Sequence, residues 1–427
     1  ACLVGSEMCI RDSNNTAVGY QALTANTTGT RNVAVGSVAA DAITTGNYNI
    51  AIGHAALSAQ TTADGNTAMG DSAGALLTTG ASNVAIGTSA LNQATTSSNN
   101  TAIGYTALYL NTTGAANTAI GRDALRANTE ADGGVAIGNR ALDANTTGDY
   151  NVGIGHDALG ANTTGTLNVA VGATALDANT TANANNAFGY GALGANTTGT
   201  QNSAFGYLAL NANTTASNNT AVGNSALGAN TTGSENVAVG MGALDAATTG
   251  DYNTGIGTGA LSDHTTGDGN TAVGRNALGS NTTANNNTAV GKGALVLNTT
   301  GTNNAAHGRD ALYSNTTGGD NTAFGKDALY ANTTASNNTA VGYNALAANT
   351  TGNENTAVGE RALDAVTKGT DNTAVGCAAL TSLDHATSSG GEASFNTAVG
   401  RGCMNNATSA DNCTAIGNNS GSDSVFN

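Results

Sequence analysis

The chain has 427 residues, of which 59 are Gly, none is Pro or Trp, and only 9% are charged. A net charge of −16 with only 12 basic residues disfavours nucleic acid as a partner, because nucleic-acid affinity comes largely from neutralising phosphates with Lys and Arg. The small share of bulky apolar residues favours thin repeated layers over one thick core, and no apolar run is long enough to span a membrane.

The first segment, residues 1–13 (ACLVGSEMCIRDS), matches nothing that follows it. It has an apolar start and mixed charges, but not the layout of a signal peptide. We interpret it as a leader that is a sequencing or translation artefact and exclude it from the fold prediction. We therefore expect the natural N-terminus, with any export signal, to be missing.

The remainder, residues 14–427, repeats every 17 residues. The glycine of an Ala-Val-Gly triplet lies at Gly19 and recurs in strict phase to Gly376, and Gly400 and Gly417 follow after a seven-residue insertion. We number each of the 24 units from position 1, which is Asn15 in the first unit. A fixed period of this kind is typical of a solenoid.

The residues at each position predict the structure of one coil. Position 1 is Asn in 22 of 24 units, position 3 is always Ala or Gly, and position 4 is Val, Ile, Phe or Met except at His307. Position 8 is Ala in 22 units, position 9 is Leu in 20, and positions 12–15 commonly read Asn-Thr-Thr-Gly. We predict one strand over positions 2–5, a second over positions 7–10, and a turn at Asn-Thr-Thr-Gly.

Stacked coils would pair equivalent strands in parallel, about 4.8 Å apart, in a rod of roughly 115 Å. The position-1 asparagines would form an amide ladder along it. The predicted fold class is therefore all-β: a single parallel β-solenoid of about 24 coils, interrupted by an inserted loop within residues 381–396.

Positions 3 and 4 lie on opposite faces of the first strand, yet position 3 is never polar and position 4 is apolar in all but one unit. This favours a strand covered on both sides, with the second cover supplied by another chain in a closed assembly such as a homotrimer. The alternative is that the small residue at position 3 fills the narrow interior of a monomer.

The pattern Asn-x-Ala-Val/Ile-Gly-x-x-Ala, as in NTAVGYQA and NVAVGSVA, resembles the head repeats of trimeric autotransporter (YadA-like) adhesins and related bacteriophage tail-fibre shafts. The resemblance covers residues 14 to about 421. It implies a left-handed parallel β-roll, three chains side by side, and attachment at a cell or virion surface. The 17-residue unit is longer than the usual head repeat, and the chain carries no matching anchor, stalk or tail-fibre chaperone segment.

Residues that could support chemistry are few and dispersed. Five cysteines at unrelated spacings do not predict a disulfide framework or a zinc site. Neighbouring position-7 carboxylates could bind a cation, but the adjacent Arg309 and Lys326 favour a solvated mixed-charge surface. We predict no catalytic residue, no metal or cofactor site, and no enzymatic activity. The residues considered are His54, His156, His264, His307, His385, Asp123, Asp157, Asp310, Asp327, Cys2, Cys9, Cys377, Cys403 and Cys413.

The Asn-Thr-Thr segment occurs 13 times and is each time a formal N-glycosylation acceptor. In a bacterial or viral product turn chemistry is the better explanation, whereas in a eukaryotic secreted chain the segment would carry glycans. Its threonine pairs would form columns similar to the ice-binding faces of antifreeze β-solenoids, interrupted by Glu130 and Lys368. We predict a structural or adhesive extracellular fibre segment, homotrimeric, with a host-surface, glycan or matrix ligand and no nucleic acid. An ice-binding solenoid and a passive matrix filament are the alternatives.

Overall fold

The computed structural model describes residues 14–383, 393–408 and 410–422, and the backbone of two short strands before them. These are β1 (Cys2–Leu3) and β2 (Met8–Cys9), which pair antiparallel, and β2 continues antiparallel onto the first strand of the repeat. The chain forms two compact units, Ala1–Ala216 and Ser217–Asn427.

In the first unit, successive strands pair in parallel and in register, each residue with its equivalent 17 positions later. The strands are β3 (Thr16–Val18), β4 (Val33–Val35), β5 (Ile50–Ile52), β6 (Thr67–Met69), β7 (Val84–Ile86), β8 (Thr101–Ile103), β9 (Thr118–Ile120), β10 (Val135–Ile137), β11 (Val152–Ile154), β12 (Val169–Val171), β13 (Asn186–Phe188) and β14 (Ser203–Phe205).

The second unit is built in the same way. Its strands are β15 (Thr220–Val222), β16 (Val237–Val239), β17 (Thr254–Ile256), β18 (Thr271–Val273), β19 (Thr288–Val290), β20 (Ala305–His307), β21 (Thr322–Phe324), β22 (Thr339–Val341), β23 (Thr356–Val358), β24 (Thr373–Val375), β25 (Thr397–Val399) and β26 (Thr414–Ile416). The pairing of Thr373 with Thr397 keeps the register across the insertion. The predicted all-β parallel solenoid with a 17-residue coil is confirmed.

The predicted second strand at positions 7–10 is wrong: among the described residues, each coil has one strand, and these positions form a turn. Positions 7 and 9 have left-handed backbones, as at Asp310 (φ 58°) and Leu312 (φ 52°). The turn still bonds to its neighbours, since Asp310 N–H donates to the preceding coil and Leu312 N–H to the following one. A left-handed backbone costs a leucine roughly 1–2 kcal/mol, and burying its side chain offsets this by about 1.5–3 kcal/mol.

The interior of each coil is narrow and consists mainly of Ala at positions 3 and 8 and Leu at position 9, all buried. Gly153, at position 3, shows how little room there is: a Cβ on it would lie 3.0 Å from the Ala158 carbonyl oxygen and 3.2 Å from Leu142 Cγ. Position 3 is therefore small because it faces this interior. The small residue thus fills the interior of its own coil, and position 4 is the one that faces outwards.

The position-5 glycine is required by the stacking. Its φ is +137° at Gly274, a conformation almost restricted to glycine, and a Cβ there would lie 2.6 Å from the carbonyl oxygen of Gly291 in the next coil. The positive φ and the close approach to the next coil recur along the repeat, which explains why glycine recurs at position 5 of every coil.

The predicted asparagine ladder at position 1 is confirmed. Asn168 donates from Nδ2 to Asn151 Oδ1 in the preceding coil (3.2 Å) and to the Ala182 carbonyl oxygen across its own coil (2.8 Å). A second ladder, which the sequence analysis did not predict, runs along position 12: Asn179 donates to Asn162 Oδ1 (2.8 Å) and to the same Ala182 oxygen (3.2 Å). These buried amides satisfy the carbonyl groups that the turn leaves unpaired.

Candidate functional site

The outer face of the strands carries a column of partly exposed apolar side chains in each unit. Positions 2 and 4 lie on this face, which we call the outer-strand face, and many position-4 side chains are between 36% and 44% exposed. They include Val18, Ile52, Met69, Ile120, Ile137, Phe188 and Phe205 in the first unit and Val222, Val239, Ile256, Phe324, Val341, Val375 and Val399 in the second. A continuous apolar column on a surface usually marks an interaction site.

Aromatic side chains on this face stack between neighbouring coils. Phe188 and Phe205 lie parallel with ring centroids 4.9 Å apart, and His307 stacks on Phe324 at 4.2 Å. His307 therefore occupies the outer-strand face rather than the interior, as a polar residue within an apolar column.

Of the other histidines that the structure describes, none forms a site with another. His54 and His156 are exposed beside carboxylates, with His54 Nδ1 2.9 Å from Asp71 and His156 Nδ1 3.0 Å from Asp157. His385 lies outside the described residues.

His264 replaces an asparagine of the position-12 ladder and is fully buried. Its Nε2 donates to the Gly267 carbonyl oxygen (2.7 Å), so Nδ1 is the acceptor for Asn281 Nδ2 (3.0 Å). Burial lowers the pKa of His264, against smaller opposing effects of the Gly267 hydrogen bond and Asp268. The side chain is thus a neutral structural member of the ladder.

The position-7 carboxylates each lie beside a basic side chain. Asp123 is 3.4 Å from Arg122 Nε, and Asp157 is 3.0 Å from Arg140 Nε. The predicted mixed-charge surface is confirmed where Arg309 Nε contacts Asp310 at 3.1 Å and Lys326 Nζ contacts Asp327 at 3.0 Å.

The sequence analysis missed a basic column on this surface. Arg275, Lys292, Arg309 and Lys326 occupy position 6 of four successive coils in the second unit, and all four are exposed. The signal was present in the sequence, because these residues are spaced by 17 and make up four of the chain's 12 basic residues. Considering the basic residues as scattered along the chain concealed their alignment.

Cysteines and metal ligands do not come together in the part of the chain that the structure describes. Cys377 is exposed, Cys403 is buried and Cys413 is half-buried, and all three are free. Burial raises the pKa of the Cys403 thiol, with a weaker opposing hydrogen bond from Val399. In the same described ranges, no cluster of three or more His, Cys, Asp and Glu side chains is arranged so that it could hold a metal ion.

The Asn-Thr-Thr segments are structural. Asn162, for example, is fully buried and donates from Nδ2 to Asn145 Oδ1 and to the Gly165 carbonyl oxygen. A sugar attached to that nitrogen would replace one of its two hydrogens and would have to fit where the side chain is fully buried, so the folded coil excludes a glycan there. The geometry supports turn chemistry for this motif.

The two threonines differ. At position 13 the hydroxyl donates to the following coil, as Thr146 does to the Thr163 carbonyl oxygen at 3.0 Å, whereas the position-14 threonines are exposed. Glu130 and Lys368 are exposed in the same column. The position-14 column is therefore the more exposed of the two, and the position-13 threonines beside it are mostly half-buried.

Most of the insertion within 381–396 lies outside the described residues, as do most of residues 1–13. Within the described residues, no helix has the length and apolar character needed to cross a bilayer. No protein-family model matches this chain, and no curated protein is significantly similar to it.

Proposed function

We propose that this chain is a segment of an extracellular attachment or spacer fibre on a cell or virion surface. Three copies lie side by side as left-handed rolls, and each covers the outer-strand face of a neighbour. The observation that supports this proposal is the exposed apolar column at position 4, which recurs through both units. Water contact with so many Val, Ile and Phe side chains is unfavourable by about 25 cal/mol per Å² of apolar surface, so a closed assembly gains from covering them.

The resemblance of the repeat to trimeric adhesin heads supports the same assembly. It also supports a mechanical role, since within each unit every coil stacks on the next and displays its side chains at a fixed spacing. No catalytic group is assigned.

The test is the molar mass of residues 14–427 in solution, measured by light scattering after size exclusion. We expect about three times the mass of one copy of residues 14–427, which is slightly below the 41.4 kDa of the full 427 residues, and a monomer would refute the proposed assembly. A Phe188→Lys, Phe205→Lys variant should dissociate it, because lysines would replace apolar residues of the covered face. The control, Tyr150→Lys with Leu167→Lys, changes two exposed apolar residues at position 17 and should leave the molar mass unchanged.

Attachment is tested separately, by binding of the labelled chain to cell, glycan and matrix surfaces. Specific binding supports an adhesive fibre. Failure to bind any of them would leave the passive filament as the better description.

Ice binding is a second candidate, favoured by the exposed threonine column at position 14. Thermal hysteresis in dilute solution would select it. The absence of thermal hysteresis would remove it.

A further inference from the structure

Four basic side chains form a short column on the surface of the second unit. Arg275, Lys292, Arg309 and Lys326 are exposed at position 6 of consecutive coils, so their backbones are separated by about 4.8 Å per step. In a chain of net charge −16, such a column is a local reversal of the prevailing charge.

The two halves of the column differ in their partners. Arg309 and Lys326 each pair with the adjacent position-7 carboxylate, Asp310 and Asp327. Position 7 in the two preceding coils is Asn276 and Gly293 instead. Arg275 and Lys292 accordingly form no ion pair with any described residue, and they present two adjacent uncompensated cations.

A cleft of about 400 Å³ lies beside these two cations, and both contribute to its lining. It exists because Gly293 has no side chain; a Cβ there would lie 2.5 Å from Asp310 Oδ1. Asn276, Val296 and Asp310 complete its polar and apolar walls.

Two tyrosines at position 10 also line the cleft. Tyr313 and Tyr330 stack with ring centroids 5.1 Å apart and an angle of 12° between the rings. Stacking holds the rings in place, so their binding surface is formed before a ligand arrives.

This set of groups matches an acidic sugar chain. Carboxylates of the sugars would pair with Arg275 and Lys292, ring faces would pack on the tyrosines, and sugar hydroxyls would donate to Asp310 and Asn276. A repeating row of cations one coil apart suits a linear ligand with one carboxylate per sugar. The Asp310 carboxylate repels sugar carboxylates and phosphates alike, so a ligand in the cleft has to donate a hydrogen bond to it. Sugar hydroxyls can do so beside each carboxylate, whereas the phosphate groups of a nucleic acid carry no donor.

We propose that the cleft and basic column of Arg275, Lys292, Tyr313 and Tyr330 bind a carboxylated polysaccharide. The inference rests on the proposed attachment function, for which it names the class of ligand.

The experiment measures binding of residues 14–427 to immobilised polygalacturonate, with neutral dextran and a single-stranded oligonucleotide as comparison surfaces. We expect binding to polygalacturonate only. The Arg275→Gln, Lys292→Gln variant should weaken binding about tenfold or more, since it removes two charge-assisted contacts. The control is Arg122→Gln with Arg401→Gln, which makes the same change in charge at two isolated position-6 arginines and should retain binding.

A second variant, Gly293→Asn, places a side chain in the cleft and keeps the net charge, while its Cβ displaces the Asp310 carboxylate, whose Oδ1 lies 2.5 Å from that position. Asn already occupies position 7 with a left-handed backbone at Asn276 (φ 56°) and Asn344 (φ 53°), so the coil should fold. We expect loss of binding with an unchanged circular-dichroism spectrum.

Three results would overturn the inference: no binding to polygalacturonate, equal weakening in the matched arginine control, or tighter binding to the oligonucleotide. If the molar mass still indicates three chains and other surfaces still bind, only this ligand assignment fails. If the protein is a monomer and still binds polygalacturonate, the proposed assembly is refuted, whereas the assignment of the cleft as a polysaccharide site stands.

Discussion

Gly274→Ala tests the stacking of coils directly, because the position-5 glycine meets two constraints at once. Its φ is +137°, and the new Cβ would lie 2.6 Å from both the carbonyl carbon and the oxygen of Gly291. Holding an alanine in that conformation costs about 1–3 kcal/mol, and displacing the backbone of the next coil costs about 1–3 kcal/mol more. We therefore expect the free energy of unfolding to fall by about 2–6 kcal/mol.

The assay is urea unfolding followed by far-ultraviolet circular dichroism, combined with amide hydrogen exchange. Because each coil of a solenoid contacts only its neighbours, we expect protection to fall mainly in residues 270–303. Gly279→Ala is the matched control in the same coil: its φ is not positive, and the atom nearest to its Cβ, Asn276 O at 3.3 Å, has to move by only a few tenths of an ångström. It should change stability by less than about 1 kcal/mol. Equal destabilisation by the two variants would refute the reasoning.

Three further predictions concern the interior. Because burial lowers the pKa of His264, the unfolded chain binds a proton at this residue more readily than the folded chain, so the free energy of unfolding should fall as pH drops through about 6.5. In urea unfolding between pH 7 and 5, His264→Asn should reduce this loss of stability. A pH dependence that the substitution leaves unchanged would contradict the prediction. Asn332→Ala removes a buried donor to Asn315 Oδ1 and should lower the free energy of unfolding by about 1–3 kcal/mol; a neutral effect would show that the ladder does not stabilise the stack. Leu329→Ala empties a fully buried site and should lower the same quantity by about 2–5 kcal/mol; a loss below about 1 kcal/mol would mean that the interior collapses around the gap.

The functional surfaces were only partly readable in advance. The ion pairs of Asp310 and Asp327 followed from neighbouring letters in the sequence. The cleft depends on Gly293 lying between Asn276 and Asp310 in successive coils, and on the stacking of tyrosines 17 residues apart. Residues 17 positions apart become neighbours only when the coils stack. Such a site is therefore found only by comparing the residues that occupy the same position in successive coils.

The sequence by itself determined the period, the parallel stacking and the position-1 ladder, because a residue that must meet its own copy in the next coil has to recur at a fixed spacing. Only the tertiary structure decided which way each position faces. Position 9 is left-handed although it is leucine, as at Leu312 (φ 52°), and no local preference of leucine predicts that conformation. That turn closes the coil, brings the small residue of position 3 into a narrow interior and leaves position 4 outside. The physical reason is that burial of the leucine and bonding to both adjacent coils outweigh its backbone preference, and neither contact exists until the neighbouring coils are in place.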